Sequence, residues 1–305
     1  MTPHRARADR RAGAALAEMA ISLVVLWALL AAIVEFGRML FASELLQLAA
    51  RAAARQLALD DSLAAESSFE DALARIYDPQ WLVLDLDRLE TCGALVESPG
   101  GEAPLDRFAR ERLPLLNQQL RPLMISEDVP ASADPEGKAR RLVRYPGALL
   151  VRSTPPGDPC ASDFTVAIPT LEDASGAARQ QVHWLPVVEP IANATGGDRF
   201  PVSGGGLAAV RIHYPFQALL WSAAYPSPPD PSGRGNLGSR IVEKDVVEAN
   251  AAARGGALIG ARDALLGPYA GRFGAGVQLS VGERVRPYAR VLRGEALFPR
   301  EVVGL

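Results

Sequence analysis

Glu18 is the one carboxylate between Arg11 and Glu35, in a stretch otherwise made of small and apolar residues and Ser22. Five residues before it, Gly13 closes Arg10-Arg11-Ala12-Gly13, and Ala14-Ala15-Leu16-Ala17 leads up to it. A basic leader, a small-residue junction and an acid five residues on set up two linked pieces of chemistry. The first is peptide-bond cleavage after Gly13, which would free an α-amine on Ala14. The second is charge pairing, because that amine and the Glu18 carboxylate would lie at similar depth in a membrane. A charged group at the centre of a membrane helix costs roughly 2.5–3.5 kcal/mol, and less near an end. Glu18 therefore has two open readings: it snorkels to the headgroups, or it finds a positive partner such as a freed amine.

No other residues offer reactive chemistry of comparable definition. Of the three histidines, His4 is in the leader, and His183 and His213 sit singly in strand-like contexts. No pair has metal-ligand spacing, and Cys92 and Cys160 do not form a CxxC pair. Asp85 and Asp87 in Trp81-Leu82-Val83-Leu84-Asp85-Leu86-Asp87 would fall on one face of a strand. Two carboxylates without further oxygen ligands make a poor cation site, so a solvated face is the expectation. Gly204-Gly205-Gly206 lacks the strand–turn–helix context of a phosphate loop. Asn193-Ala194-Thr195 is a glycosylation sequon only in a host that glycosylates there, which the bacterial-type leader argues against. These absences point away from an enzyme and call for no metal and no cofactor.

The element that must position Gly13 and Glu18 is a helix. The uncharged run from Met19 to Val34 is roughly 24 Å of helix, short of the roughly 30 Å of a bilayer core. A span must therefore take in Glu18, extend past Glu35 or thin the bilayer. A secretory signal peptide would place its small-residue cleavage site after the apolar run, where Ile33-Val34-Glu35-Phe36-Gly37-Arg38 is a poor one. The small residues instead precede the run, which fits a peptidase at the cytoplasmic face. Arg5, Arg7, Arg10 and Arg11 set the orientation, N-terminus inside and everything after Arg38 outside. Beyond the span, Phe41, Leu45, Leu48 and Ala52 recur at helical spacing, with Glu44, Gln47, Arg51 and Arg55 on the opposite face. The expectation is one rod of roughly 69 Å from Ala14 to Leu59, docked through that apolar stripe.

These residues carry a family resemblance. Gly13 followed by Glu18 at the fifth position of the cleaved chain resembles the prepilin-peptidase signature of type IV pilins. The Glu35-Phe36-Gly37-Arg38 exit, with its Ala-rich continuation, is similar to the TadE-like pseudopilins of tight-adherence (Tad/Flp) pilus systems. The resemblance covers roughly residues 10–58, about a sixth of the chain. It departs from the family in Met19, where an aromatic is common after the acid, in Ala14, where many pilins have a bulky first residue, and in a long ectodomain. The resemblance implies that a prepilin peptidase cuts between Gly13 and Ala14, and that Glu18 pairs with a neighbouring subunit's amine. The implied partners are other Tad pilins or pseudopilins and inner-membrane platform proteins. The implied location is the bacterial inner membrane, spanned once, with the C-terminal domain in the periplasm.

Composition bounds the remainder. The 305 residues carry a net charge of −3, with 49% hydrophobic and 6% aromatic content, ordinary globular chemistry plus one span. The arginines are scattered and the acids slightly outnumber the bases, so nothing suggests nucleic acid as a partner. The expected organisation is a leader (1–13), the N-terminal helix (14–59), a helical or mixed segment (60–140) and a β-rich domain (141–305), giving an α+β class. Ser68 to Tyr77 reads as a short helix with Ser68 and Asp71 as a capping box and Asp78-Pro79 as its stop. Leu105 to Leu120 reads as one amphipathic helix bent at Pro114. Residues 141–152, 164–171, 180–191 and 207–220 read as strands, with Pro215 marking an edge or a bulge, and 277–291 as a terminal hairpin. Tyr145-Pro146 and Tyr214-Pro215 begin similar segments, by duplication or by chance. Pro/Gly-rich loops at 193–206 and 224–236 punctuate the strands. Cys92 and Cys160 both lie near loop-forming sequence. In an oxidising periplasm they would be linked, closing a loop of roughly 70 residues worth about 4 kcal/mol in the chain-entropy model; two free buried thiols are the alternative.

Two functional classes follow. One is a structural protein that initiates, assembles or decorates a thin filament. The other is a permanently anchored protein whose periplasmic domain binds a ligand or has an accessory activity of another kind. Processing at Gly13 separates them, because an ordinary anchor keeps its leader.

Overall fold

An unbroken helix, α1 (Pro3–Leu59), opens the chain. Pro3 stands in its first turn, where a missing N–H costs nothing, and no other proline occurs before Leu59. Alanine and leucine, the strongest helix formers, dominate the rest. The structure, a computed structural model, describes residues 3–59, 69–96, 100–129, 131, 138–152, 158–162, 164–173, 180–191, 207–216, 256–258, 269–270, 275–276 and 291–299. The chain divides into two compact units, residues 1–41 and 42–305. Together the long apolar helix, the short helices and the antiparallel sheets make the protein α+β.

In the second unit the helix buries Ala42, Leu46, Ala49, Ala50, Ala53, Ala54 and Leu57. This corrects the sequence expectation, which put Phe41, Leu45, Leu48 and Ala52 on the docked face. Phe41 is 60% and Leu48 47% exposed, while Leu45 and Ala52 are half-buried. The docked face is chosen by size rather than by hydrophobicity. Small side chains let a strand, β12 (Val291–Pro299), approach the helix backbone at Leu46 through Gly294. The polar positions Glu44, Arg51 and Arg55 are exposed as expected.

A run of short elements follows: α2 (Phe69–Ile76), a 3-10 turn (Pro79–Leu82), β1 (Val83–Asp85), α3 (Leu86–Thr91), α4 (Pro104–Arg112) and α5 (Leu115–Leu120). Ser68, half of the expected capping box, lies outside the described residues. Asp78 both ends α2 and caps the 3-10 turn, its side chain accepting from the Gln80 N–H at 3.0 Å. The single bent helix expected around Pro114 is two helices. Leu113 and Pro114 are extended (ψ 141° and 151°), because a proline disfavours helical backbone in the residue before it. Asn117 on α5 is fully buried, and its amide clasps the backbone of Asp78, donating to the carbonyl at 3.1 Å and accepting from the N–H at 3.0 Å.

The strands form small antiparallel sheets. β3 (Arg140–Arg144) lies between β1 and β2 (Ile125–Val129). A second sheet runs β6 (Gln180–Leu185), β5 (Phe164–Asp173), β4 (Ala148–Arg152), β9 (Gly256–Leu258). A third places β8 (Leu207–Pro215) between β7 (Val188–Pro190) and β12. A short pair joins β10 (Tyr269–Ala270) and β11 (Ala275–Gly276). The strand expected over 141–152 is broken at Gly147, whose φ of +145° and whose would-be Cβ, 2.6 Å from Val166 Cγ1, both demand glycine. The one expected over 180–191 is interrupted at Pro186 and feeds two different sheets. Pro215 marks neither an edge nor a bulge. It is the last residue of a central strand, pairing with Val291 where the ladder ends. The expected 277–291 hairpin and the loops at 193–206 and 224–236 lie outside the described residues, apart from Val291, which opens β12. One hydrophobic core joins α1 from Ala42 onward to α2, α4, α5 and strands of the three larger sheets.

Candidate functional site

Gly13, Ala14 and Glu18 all lie on α1, so Ala14 and Glu18 are one helical turn apart on one face, about 6 Å along the axis. Glu18 is exposed, and none of the ion pairs among the described residues includes it. The large apolar side chains that follow, from Met19 to Val34, are all exposed, between 42% and 66%. A helix apolar on every side, with its large apolar side chains exposed, fits a membrane span. By length and composition α1 can cross a membrane once. At the far end, roughly 26 Å from Glu18 by helical rise, Glu35 pairs with Arg38 one turn on, Nη1 to Oε2 3.1 Å. This local neutralisation suits charges at a membrane exit. Phe36 is 62% exposed, and nothing lies within 4 Å of a Cβ built on Gly37. Local packing therefore gives no reason for glycine at a helix position where it costs about 1 kcal/mol relative to alanine.

Asp85 and Asp87 do not share a strand face, which corrects the sequence expectation. The strand ends at Asp85, which caps α3 by accepting from the Arg88 N–H at 3.2 Å, and Asp87 is already helical. Each is answered by an arginine of β3. Arg140 Nη1 reaches Asp85 Oδ2 at 2.9 Å in a nearly buried pair, with the guanidinium 4.8 Å from the Phe164 ring centroid. Arg141 Nε donates to Asp87 Oδ1 at 2.7 Å, and this bond holds the Asp87 carboxyl below its usual range. Two carboxylates already bonded to guanidinium groups are poor cation ligands. Among the described residues no cluster of His, Cys, Asp and Glu could hold a metal.

Cys92 and Cys160 come together. Cys92 ends α3, and its thiol lies 3.6 Å from the carbonyl oxygen of Pro159, the residue before Cys160. The neighbouring Cys92 thiol, with burial second, pushes the Cys160 thiol up to about 11. Both are reduced as described.

Residues 13–55 match the family profile described as TadE-like protein. This segment is TadE-like. The TadE-like match opens on Gly13 and runs through Glu18, the span, Glu35-Phe36-Gly37-Arg38 and most of the docked alanine face. No curated protein and no solved structure matches the chain.

Outside the TadE-like segment, His183 pairs in register with Thr170 on β5, and His213 lies on β8 in a different sheet. His213 is buried, donating Nδ1–H to the Pro186 carbonyl at 3.0 Å, with Nε2 3.5 Å from Glu189. Burial holds its pKa below the ordinary value. The sequence reading missed the ladder beside it. Glu189, Arg211 and Glu295 stand opposite one another on β7, β8 and β12, with Arg211 bonded to both acids at 3.1 and 2.6 Å. It also missed that the two Tyr-Pro segments meet: the Tyr145 hydroxyl donates to the His213 carbonyl at 2.8 Å, and its ring meets Tyr214 edge-on at 5.6 Å. Glu189 lies at the end of the expected 180–191 strand, whereas Glu295 sits in β12, which gave no clear signal of its own.

Proposed function

We propose that the chain is a pseudopilin of a Tad-type machine, cut between Gly13 and Ala14 by a prepilin peptidase and taking part in assembly of a Tad/Flp-type pilus. It resides in the bacterial inner membrane with its N-terminus cytoplasmic and residues after Arg38 periplasmic. Its partners there are other Tad pilins or pseudopilins and the inner-membrane platform proteins. The observation that carries the reading is the TadE-like match beginning on Gly13, with Glu18 exposed on the apolar helix five residues on.

The mechanism follows from charge and depth. Cleavage frees an α-amine at Ala14. Within one helix that amine and Glu18 are about 6 Å apart along the axis, close enough to compete for each other. A neighbouring helix displaced along the axis brings its own amine directly beside Glu18 and cancels two charges in lipid. Because an unpaired charge there is costly, the pair favours one helix register over others. Exposed Phe36 and open Gly37, one bulky and one small, offer a ridge and a notch to the same neighbour.

Replacing Glu18 tests this. Glu18→Ala keeps membrane insertion and cleavage, abolishes co-purification with partner pilins and removes surface filaments. A variant that is cleaved, co-purifies and supports piliation like the parent contradicts the assembly role.

A further inference from the structure

Cys92 and Cys160 are the reactive pair that the pilin chemistry does not use. The segment 158–162 that carries Cys160 is already seated on the helical layer by polar contacts. Arg88 Nε of α3 donates to the Pro159 carbonyl at 2.9 Å, and Arg112 at the end of α4 bonds Asp158 at 3.1 Å. Asp158 in turn accepts from the Cys160 N–H at 2.8 Å, which fixes the turn presenting the thiol. Two arginines and one turn thus hold Cys160 against the C-terminal turn of α3, where Cys92 is exposed.

We propose that Cys92 and Cys160 form an intramolecular disulfide in the assembled protein, a clasp that locks segment 158–162 onto α3. The inference rests on the proposed placement of residues after Arg38 outside the cytoplasm, because a reducing cytoplasm keeps such thiols apart. The co-reactant is a protein disulfide oxidant of that compartment. Cys92, the exposed thiol, loses its proton and attacks a sulfur of the oxidant's disulfide, giving a mixed disulfide and one oxidant thiol. Cys160 then loses its proton and attacks Cys92 Sγ, expelling the oxidant's second thiol. Two thiols lose two protons and two electrons, and one disulfide of the oxidant is reduced to a dithiol.

The clasp joins the short-helix run to the strand β5 that begins at Phe164. It leaves α1 untouched, so it governs the rigidity of the folded unit rather than insertion or cleavage.

The test is thiol trapping on the full-length chain in its own membranes. Samples are acid-quenched, denatured and treated with a polyethylene-glycol maleimide, with and without prior reduction. The wild type takes no label before reduction and two after it, while C92S and C160S each take one label under both conditions. Two labels on unreduced wild type overturn the clasp, as does a reducible dimer that either serine variant abolishes. Protease treatment of spheroplasts, run in parallel, separates the premises. Free thiols on a unit digested from outside overturn the clasp alone, and free thiols on a protected unit overturn the topology as well.

Discussion

The backbone carbonyl of Leu46 lies 2.5 Å from where a Cβ on Gly294 would stand. A strand near the C-terminus and a helix near the N-terminus are therefore in backbone contact, closer than any side chain permits. That contact accounts for the alanine face of α1 and for a glycine in mid-strand, a position that otherwise weakens a sheet.

Gly294→Ala is accordingly expected to destabilise the protein by about 3 kcal/mol, since a rigid backbone must move to admit one methyl group. Gly37→Ala, built into open space, is expected to leave folding unchanged or to stabilise the helix by about 1 kcal/mol. Chemical denaturation of both variants in detergent compares them. Equal stabilities would refute the close approach.

Asn117 is the buried lock between α5 and the turn after α2. Asn117→Ala leaves the N–H and carbonyl of Asp78 without their side-chain partner, and the expected loss is about 2 kcal/mol. A denaturant midpoint unchanged from the parent would show that Asp78 finds other partners at no cost.

The legible part of this molecule was the part governed by simple periodicity and charge. An uninterrupted apolar helix with Gly13, Glu18 and Glu35-Phe36-Gly37-Arg38 can be read residue by residue, and α1 runs through all of them. The docked face was misread because hydrophobicity favours Phe41 and Leu48, whereas close backbone packing favours Ala49, Ala50 and Ala53. The strand β12 escaped notice because its buried positions are Gly294 and Ala296, too small to make an alternating apolar signal. The meeting of Cys92 with Cys160 depends on Arg88 and Arg112 gripping a distant turn, a tertiary arrangement that spacing does not encode.

His213 supplies a pH dependence with a definite sign. Its folded pKa lies below its unfolded value of about 6.5, chiefly through burial. The unfolded chain therefore binds the proton more readily, and stability falls as pH drops below about 6.5 toward the folded pKa. The charged groups around it are Glu189, Arg211 and Arg293. Denaturation midpoints taken from pH 7.5 to 5.5 are expected to decline more steeply for the wild type than for His213→Gln. Parallel curves would remove His213 as the source.

The central claim, a pseudopilin released from its leader rather than a permanent anchor, turns on one bond. Intact-mass analysis of the full chain extracted from its own membranes reads that bond directly. The account predicts a mature protein beginning at Ala14, with the leader through Gly13 gone. A mature protein still beginning at Met1 or Thr2 would contradict it.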